Sequence, residues 1–380
     1  MEWYKEAAGL PTPYYMYDFD RARSDIRRMR EIVGEKIGLC FAMKANPFLV
    51  PEVFAAVDRI EICSMGEYRI CRKIGQPAEK MYISGVLKEP ADIREILQDT
   101  QGKSRYTAES PAQYRLIADW AMDNKVPVRI YPRLTSGNQF GMDEETVAEI
   151  LKQAADHPYV TVEGLHFFSG TQKRNAGQIR KELQQLDVFL QEHTGIPELE
   201  YGPGLTVNYF TPDSWEKSQE MLAETADEAG KMTYPGHITF EMGRGIAANC
   251  GYYVTQVRDT KQSRGNNICI VDGGIHQINY DGQMLGMKHP TVSLNGEAPG
   301  ETEWDVYGSL CTVHDVLLKR YPLGELNVGD RLVFHQTGAY SAMEGIALLL
   351  SHELPALYGW DAEKGIRQLR ERKETWEWNC

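Results

Sequence analysis

The chain has 380 residues, a formal net charge of −13 at pH 7 and 42% hydrophobic residues. This length predicts two domains, and the composition is that of a globular protein. The negative charge argues against nucleic acid as the main partner and against an anionic membrane surface. The sequence shows neither a secretory leader nor an apolar run long enough to cross a bilayer, so we expect a cytoplasmic protein with no membrane partner.

The seven cysteines are scattered along the chain and show no close CxxC pair. Their odd number and wide spacing predict reduced thiols rather than a disulfide framework. No metal site is predicted from this pattern.

Short apolar runs alternate with amphipathic stretches as far as residue 245. The runs predict eight strands, at 37–43, 59–63, 80–84, 104–108, 127–132, 159–167, 197–201 and 237–242. The intervening stretches predict helices at 49–57, 66–74, 89–98, 110–124, 143–155, 176–193 and 213–229. Eight strand–helix repeats predict an α/β fold, a closed (βα)8 barrel of the TIM type, over residues 21–245.

The pattern changes after residue 245. Short β-type runs separated by Gly, Asn, Asp and Pro predict a β-barrel or β-sandwich domain over residues 246–380. Residues 1–20 contain PYYMYDF, a strand with no helix behind it, and we assign them to the same domain. The long helical period in this half predicts a helix over 362–376.

Residues with useful chemistry follow several barrel strands. Working residues in such a barrel lie at the carboxyl ends of the strands. The candidates are Lys44 at the end of the first strand, His166 and Ser169 at the end of the sixth, Gly202 and Gly204 after the seventh, and Glu241, Gly243 and Arg244 at the end of the eighth. An amine nucleophile, an acid, and glycines that let N–H groups approach a phosphate are groups that suit pyridoxal phosphate.

Each candidate also has a purely structural interpretation. Lys44 could end a strand so that its amine reaches water, and His166 could be a hydrogen-bonded core histidine. Glu241 could cap a helix, and the glycines could serve turns alone. Position and residue type leave both interpretations open.

The order of the motifs resembles a known family, the fold-type III pyridoxal-phosphate decarboxylases, which include diaminopimelate, ornithine and arginine decarboxylases. The segments that carry the resemblance span nearly the whole chain. They are FAMKANP, EICSMGE, ISGVLK, SGNQFG, GLHFFSGTQ, EMGRG, VDGG, LCTVHD and TGAY. This set of motifs is far more specific than any one of them.

The resemblance implies that the chain decarboxylates an amino acid with pyridoxal 5'-phosphate. Lys44 would bond to the cofactor aldehyde, and burial would lower its pKa and free the amine. His166 would stack on the cofactor ring, and Glu241 would hold the pyridine nitrogen. The implied phosphate contacts are Ser169, Gly243, Arg244 and Tyr340. Cys311 would cross a homodimer interface, complete the partner's active site and return a proton to the substrate carbon.

Departures from the family pattern concern the substrate. Diamine-forming relatives place an acid directly after the cysteine, where this chain has Thr312, and another near the position of Met284. We take Thr312, Met284 and Arg129 as substrate-binding residues. Loss of two carboxylates disfavours a free distal ammonium, unless Asp281 or Glu344 replaces them.

Two stretches, LCTVHD and LLLSHELPALY, are more similar to a natural-product branch of the family. Its members serve siderophore or antibiotic pathways, and some act on an amino acid attached to a carrier protein or to citrate. A decarboxylase of an amino-acid conjugate is therefore the favoured interpretation. The alternatives are a diaminopimelate or other basic amino-acid decarboxylase, a racemase of the same fold and a non-catalytic cofactor-binding protein. Three outcomes distinguish these classes. A decarboxylase would release carbon dioxide, a racemase would abolish optical rotation without releasing gas, and a non-catalytic protein would do neither.

Overall fold

The computed structural model describes residues 1–211 and 214–380. The chain divides into two compact units. The β-rich unit comprises Met1–Ser24, Val207–Glu216 and Ile246–Cys380, and the barrel unit comprises Asp25–Thr206 and Lys217–Gly245. The segment Val207–Glu216, which the sequence analysis assigned to the barrel, therefore belongs to the β-rich unit.

The strands of the described residues are numbered in chain order. They are β1 (Tyr14–Asp18), β2 (Ile37–Ala42), β3 (Arg59–Ile62), β4 (Met81–Ile83), β5 (Arg105–Ala108), β6 (Val128–Leu134), β7 (Val160–Val162), β8 (Gly164–Phe168), β9 (Glu198–Gly202), β10 (His237–Met242), β11 (Gly251–Ser263), β12 (Asn266–Val271), β13 (Val292–Leu294), β14 (Glu303–Tyr307), β15 (Val316–Pro322), β16 (Arg331–His335), β17 (Ala356–Asp361) and β18 (Gly365–Arg370).

The α-helices are numbered in the same way. They are α1 (Glu2–Glu6), α2 (Phe19–Val33), α3 (Val50–Val53), α4 (Met65–Lys73), α5 (Pro90–Thr100), α6 (Pro111–Asn124), α7 (Glu144–Ala155), α8 (Ala176–Glu192), α9 (Ser214–Gly230) and α10 (Arg244–Ala247). Within the two described ranges, every helix is too short or too polar to cross a membrane.

Strands β2 to β10 form a closed parallel barrel, which confirms the predicted fold. The order around the barrel follows the chain, β10 pairs with β2, and β5 pairs with β6. The sixth predicted strand is split: β7 pairs with the first half of β6, and β8 pairs with its second half. All six residues of β2, IGLCFA, are buried, as expected for a parallel strand that is covered on both faces.

The helices of the barrel begin where the sequence signals them. Ser110 caps α6 by accepting a hydrogen bond from the Gln113 N–H, and Pro111 occupies the first helical position. The predicted helix at 49–57 is much shorter, since only Val50–Val53 is α-helical.

A charged layer fills the barrel near the amino ends of its strands. Arg59, at the start of β3, pairs with Glu198 and Glu200 of β9 at 2.8 Å each. The Tyr131 hydroxyl donates to Glu198 at 2.7 Å. Burial raises the pKa of Glu200 to about 8.

The β-rich unit contains a nine-stranded mixed sheet. Its longest path is β15-β14-β12-β11-β1-β17-β18, and β16 and β13 continue from β11. The amino-terminal strand β1 lies between β11, to which it is antiparallel, and β17, to which it is parallel. Trp3, Tyr14 and Trp360 pack in the core beside this strand.

Two expectations for the β-rich unit are wrong. We expected no helix behind the strand in residues 1–20, but α2 begins at Phe19, directly after β1. The predicted helix at 362–376 contains instead β18, which pairs antiparallel with β17 at the edge of the sheet. Edge strands commonly carry charged side chains. In β18, Arg367 and Arg370 are three residues apart, a spacing that also occurs along one face of a helix.

Candidate active site

Lys44 lies in a 3-10 turn, Met43–Ala45, directly after barrel strand β2. Its Nζ is 2.7 Å from Glu61 Oε2 and 3.8 Å from Glu241 Oε1. Burial lowers the pKa of Lys44, but the charges of Glu61, Cys63 and Glu241 outweigh burial and raise that pKa well above its usual value. The expectation that burial frees the amine is therefore wrong: the carboxylates hold Lys44 as an ammonium.

Glu241 and His166 form a buried pair beside the lysine. His166 Nε2 lies 3.1 Å from Glu241 Oε2, and the two side chains are 1% and 3% exposed. Burial and the nearby charge of Arg133 hold the pKa of His166 well below its usual value, so the ring is neutral. Its Nδ1 is buried and has no hydrogen-bond partner among residues 1–211 and 214–380.

Three charged residues at the same rim were not among the predicted site residues. Arg133 Nη1 lies 3.1 Å from Glu109 Oε1, and Glu61 contacts Lys44. Each could have been found from its position, because Glu61 and Arg133 lie near the ends of β3 and β6 and Glu109 follows β5.

Another lysine, Lys88, is buried on this side of the barrel. Lys88 Nζ donates to Thr107 Oγ1 at 2.9 Å and to the Gly85 carbonyl at 2.7 Å. Burial lowers its pKa to about 8. Lys88 ends the ISGVLK motif, and the family resemblance implied no function for it.

Arg129 does not reach the rim, which corrects its assignment to substrate binding. It is the second residue of β6, donates to the Lys103 carbonyl and lies 3.6 Å from Glu163. Side chains alternate along a strand, so Arg129 and Arg133 share a face but are separated by about 13 Å along β6. Arg133 is thus the arginine of this strand that lies at its carboxyl end.

The predicted phosphate loops follow strands β8, β9 and β10. Gly204 has φ +60°, and a Cβ there would lie 2.0 Å from the Gly170 carbonyl oxygen. A Cβ at Gly202 would lie 2.4 Å from the Phe168 ring, and one at Gly243 would lie 3.1 Å from the Cβ of Ala45. Any residue larger than glycine at position 202 or 204 would displace a neighbouring residue.

Ser169 and Arg244 complete the predicted phosphate set in this unit. The Ser169 hydroxyl donates to Glu182 Oε1 at 2.7 Å. Arg244 is buried at the start of α10.

The remaining predicted site residues belong to the β-rich unit. Cys311 is exposed and lies in a turn organised by the Asp315 carboxylate, which accepts from the Leu310 N–H at 2.7 Å. Thr312 follows within the same turn, and its N–H donates to the Leu310 carbonyl. Met284 is 61% exposed.

Tyr340 has φ +65°, an uncommon conformation for a side chain of its size. Its carbonyl accepts from the N–H groups of Met343 and Glu344.

The barrel rim fits pyridoxal phosphate by the chemistry of its side chains. Lys44 supplies an amine, Glu241 a buried carboxylate suited to a protonated ring nitrogen, and His166 a neutral flat ring. At Gly202 and Gly204 a Cβ would overlap Phe168 and Gly170, so both glycines are required for the close packing of the chain after β8 and β9.

Comparison with protein families matches residues 14–338 to a model described as pyridoxal-dependent decarboxylase, C-terminal sheet domain. The matched region includes parts of both units, from β1 to the residue before Ala339.

Three relatives with an assigned activity match most of the chain. L-glutamyl-[BtrI acyl-carrier protein] decarboxylase of Niallia circulans is 28% identical over 90% of this chain and 87% of its own length. Diaminopimelate decarboxylase of Deinococcus radiodurans is 26% identical over 96% and 93%. The 2-[(L-alanin-3-ylcarbamoyl)methyl]-2-hydroxybutanedioate decarboxylase of Staphylococcus aureus is 24% identical over 92% and 94%.

A solved structure shares the fold. A point mutant of diaminopimelate decarboxylase of Helicobacter pylori, complexed with L-lysine, superimposes with a TM-score of 0.83 at 22% identity. The match covers 98% of this chain and 97% of the other.

Proposed function

Because the chain belongs to the family of pyridoxal-dependent decarboxylases, we propose that it removes the α-carboxylate of an amino acid whose side chain is linked to a larger group. The chain is a carboxy-lyase that uses pyridoxal phosphate. What is proposed is the class of substrate and the roles of individual residues.

The barrel residues would prepare and hold the cofactor. The cofactor would supply an electron sink for the bond that breaks at the substrate α-carbon. Lys44 would bond to the cofactor, and Glu61 Oε2, at 2.7 Å, is the nearest base for the proton that the ammonium must lose first. Glu241 would pair with the ring nitrogen, and the neutral ring of His166 would lie against the cofactor.

The observation that carries the substrate proposal is Thr312, the neutral residue that follows Cys311. A hydroxyl cannot pair with a distal ammonium as a carboxylate does, and an unpaired buried charge costs roughly 2–5 kcal/mol. Met284, at the second expected acid position, is a thioether that is also unable to pair with a cation. A side chain whose amine is acylated, or that lacks an amine, avoids this cost.

Two of the relatives support a linked substrate. The Niallia circulans protein is named for a glutamyl group carried on an acyl-carrier protein, and the Staphylococcus aureus protein for an amide of a hydroxybutanedioate. We therefore assign this chain to natural-product or siderophore biosynthesis.

A free basic amino acid such as diaminopimelate is the second candidate. The Deinococcus radiodurans relative is named for that substrate. In this chain Glu344 is an exposed acid of the β-rich unit, and its Oε2 accepts from Asn279 Nδ2 at 3.2 Å. Glu344 could replace the two missing carboxylates.

Carbon dioxide release by the cofactor-loaded protein tests the substrate class. The panel would contain free L- and D-diamino acids, meso-diaminopimelate, glutamate, and amino acids linked to a carrier protein or to citrate. We expect release from linked substrates. Release from a free diamino acid at a comparable rate would contradict the proposal, and loss of optical rotation of alanine without gas would indicate a racemase.

The variant Thr312→Asp sharpens this test, because it restores the missing acid. We expect it to raise the release of carbon dioxide from free diamino acids by about tenfold, with Thr312→Asn as the uncharged control of similar size. Equal rates for the two variants would show that charge at this position does not select the substrate.

We also propose a homodimer in which each Cys311 serves the site of the other subunit. The family resemblance implies this arrangement, and the exposed position of Cys311 on a surface turn is consistent with it. Mass in solution tests it: a monomer with full activity would contradict the proposal.

A further inference from the structure

Four side chains converge on one carboxylate, Glu182 of helix α8, which is 8% exposed. The donors are Lys173 Nζ at 2.6 Å, the hydroxyls of Ser169 and Tyr201 at 2.7 Å each, and Gln178 Nε2 at 3.2 Å. None of the family motifs in the sequence includes Glu182.

Three of the four donors lie in or directly next to the two loops that are expected to bind phosphate. Ser169 and Lys173 follow β8, and Tyr201 precedes Gly202 at the end of β9. The backbone N–H of Lys173 also donates to the Gly204 carbonyl at 2.9 Å, which joins the two loops directly. Glu182 therefore contacts the first loop directly and, through Tyr201 of β9, the strand that leads into the second loop.

Lys173 is needed to cancel the negative charge of Glu182 near a bound phosphate. A buried carboxylate beside a phosphate dianion would repel it, and low exposure leaves little solvent to screen the repulsion. The Lys173 side chain is 3% exposed and lies against Glu182 at 2.6 Å, so the pair is neutral as a unit. Glu182 can then hold the loops without repelling the ligand.

The hydroxyl of Ser169 cannot serve Glu182 and a phosphate dianion together. It has one proton, which it donates to Glu182 at 2.7 Å, and both possible partners only accept. A phosphate that binds Ser169 must therefore take that hydrogen bond from Glu182, which keeps its bonds from Lys173 and Tyr201.

We propose that Lys173 and Glu182 are a neutral positioning pair for the phosphate loops, and that the cofactor phosphate displaces Glu182 as the acceptor of the Ser169 hydroxyl. This inference rests on the proposed phosphate-binding roles of Ser169 and Gly204. It adds two residues to the site without assigning either of them to the chemistry of decarboxylation.

The test compares pyridoxal phosphate with pyridoxal, which lacks the phosphate, in titrations of the cofactor-free full chain followed by absorbance. We expect Lys173→Met to weaken binding of pyridoxal phosphate by about tenfold or more, because Glu182 is left uncompensated. Binding of pyridoxal should change less than twofold, and the double variant Lys173→Met/Glu182→Gln should recover most of the lost affinity. A merely structural role would weaken both ligands equally, and that result, or no change with either ligand, would overturn the proposal.

Glu182→Gln alone is a second test that conserves side-chain shape. The charge of Lys173 is then no longer cancelled, so affinity for pyridoxal phosphate should rise several-fold while pyridoxal is unaffected. A fall in affinity for pyridoxal phosphate would overturn the charge argument. If the wild-type chain captures pyridoxal phosphate and the variants match it, this inference fails while the cofactor assignment stands; if the wild type captures neither ligand, both fail.

Discussion

The barrel rim and the Cys311 turn differ in how they present their reactive groups. At the rim, Glu241 lies 3.8 Å from Lys44 and 3.1 Å from His166, and the side chains of Glu241 and His166 are almost completely buried. In the β-rich unit, Cys311 is exposed, and Val313, two residues on, is 84% exposed. The rim residues are held in place by other residues of the barrel unit, whereas Cys311 lies on the surface of the β-rich unit.

The difference has a physical origin. Parallel strands end at one face of a barrel, so charged residues at several strand ends meet and neutralise one another there. In the surface turn the Asp315 carboxylate is occupied by the Leu310 N–H, and the exposed Cys311 thiol can become enclosed only when another surface covers it. The rim should therefore control cofactor chemistry within one subunit, while the Cys311 turn should depend on assembly.

Removal of the rim lysine should have the largest effect. We expect Lys44→Ala to lower carbon dioxide release by more than about a thousandfold, because the chain loses the group that bonds to the cofactor. The visible absorbance of bound pyridoxal phosphate should change at the same time. Lys88→Met is the matched control for a buried lysine on the same side, and an unchanged rate in Lys44→Ala would refute the assignment of the site.

Removal of the surface thiol should have the next largest effect. We expect Cys311→Ala to slow turnover by about a hundredfold if the thiol returns a proton to the substrate carbon. Absorbance of the bound cofactor should stay that of the wild type.

Mixing the two inactive variants tests the assembly directly. A hybrid of Lys44→Ala and Cys311→Ala subunits contains one intact site if Cys311 crosses the interface, and random exchange then restores about a quarter of wild-type activity. Recovery would be absent if each chain used its own cysteine, and that outcome would contradict the shared site.

The carboxylates around Lys44 should set its pH dependence. Its pKa is raised by Glu61 above all other neighbours, so Glu61→Gln should lower that pKa. The pH midpoint for covalent capture of pyridoxal phosphate, read from absorbance, should fall by at least about one unit. Glu67→Gln is the control, because Glu67 lies nearby but bonds to the Cys63 N–H at 2.6 Å; equal midpoints for wild type and Glu61→Gln would contradict the prediction.

The charged layer below the rim should give the smallest effect, on stability rather than on activity. The pKa of Glu200 is raised from 4.5 to about 8, so the unfolded chain loses this proton first as pH rises. The free energy of unfolding should therefore fall between about pH 4.5 and about pH 8. Glu200→Gln should flatten this fall, seen as midpoint temperatures at about pH 5 and about pH 9 that differ less than in the wild type.

Glu198→Gln is the control for this prediction, since it removes the carboxylate that pairs with Arg59 and should destabilise the chain at both pH values. A pH dependence in Glu200→Gln that equals that of the wild type would show that Glu200 ionises normally in the folded chain.

The barrel could be predicted from sequence because its strands are buried on both faces and appear as short apolar runs. The same logic located Lys44, which follows β2, and Glu241 and His166, which lie in the carboxyl-terminal part of β10 and in the middle of β8. Their mutual contacts and the raised pKa of Lys44 could not be predicted, because they depend on distances between strands that lie far apart in the chain.

The β-rich unit was harder to predict. Its edge strand β18 has charged residues at helical spacing, and only pairing with β17 determines its conformation. Arg129 and Arg133 illustrate the same limit in the barrel, because two arginines on one strand have opposite surroundings according to which end they occupy. Glu182 lies in the middle of a helix, where no strand-end rule applies.

The position of β1 between β11 and β17 has a consequence for synthesis of the chain. The strand Tyr14–Asp18 leaves the ribosome early, but its parallel neighbour begins only at Ala356. At typical elongation rates that neighbour is made roughly 20–70 s later, long after the barrel residues have emerged. The antiparallel neighbour of β1, strand β11, begins only at Gly251, so until then the nascent chain carries four consecutive apolar residues, Tyr14 to Tyr17, with no partner strand, and until β17 is made one edge of β1 stays open.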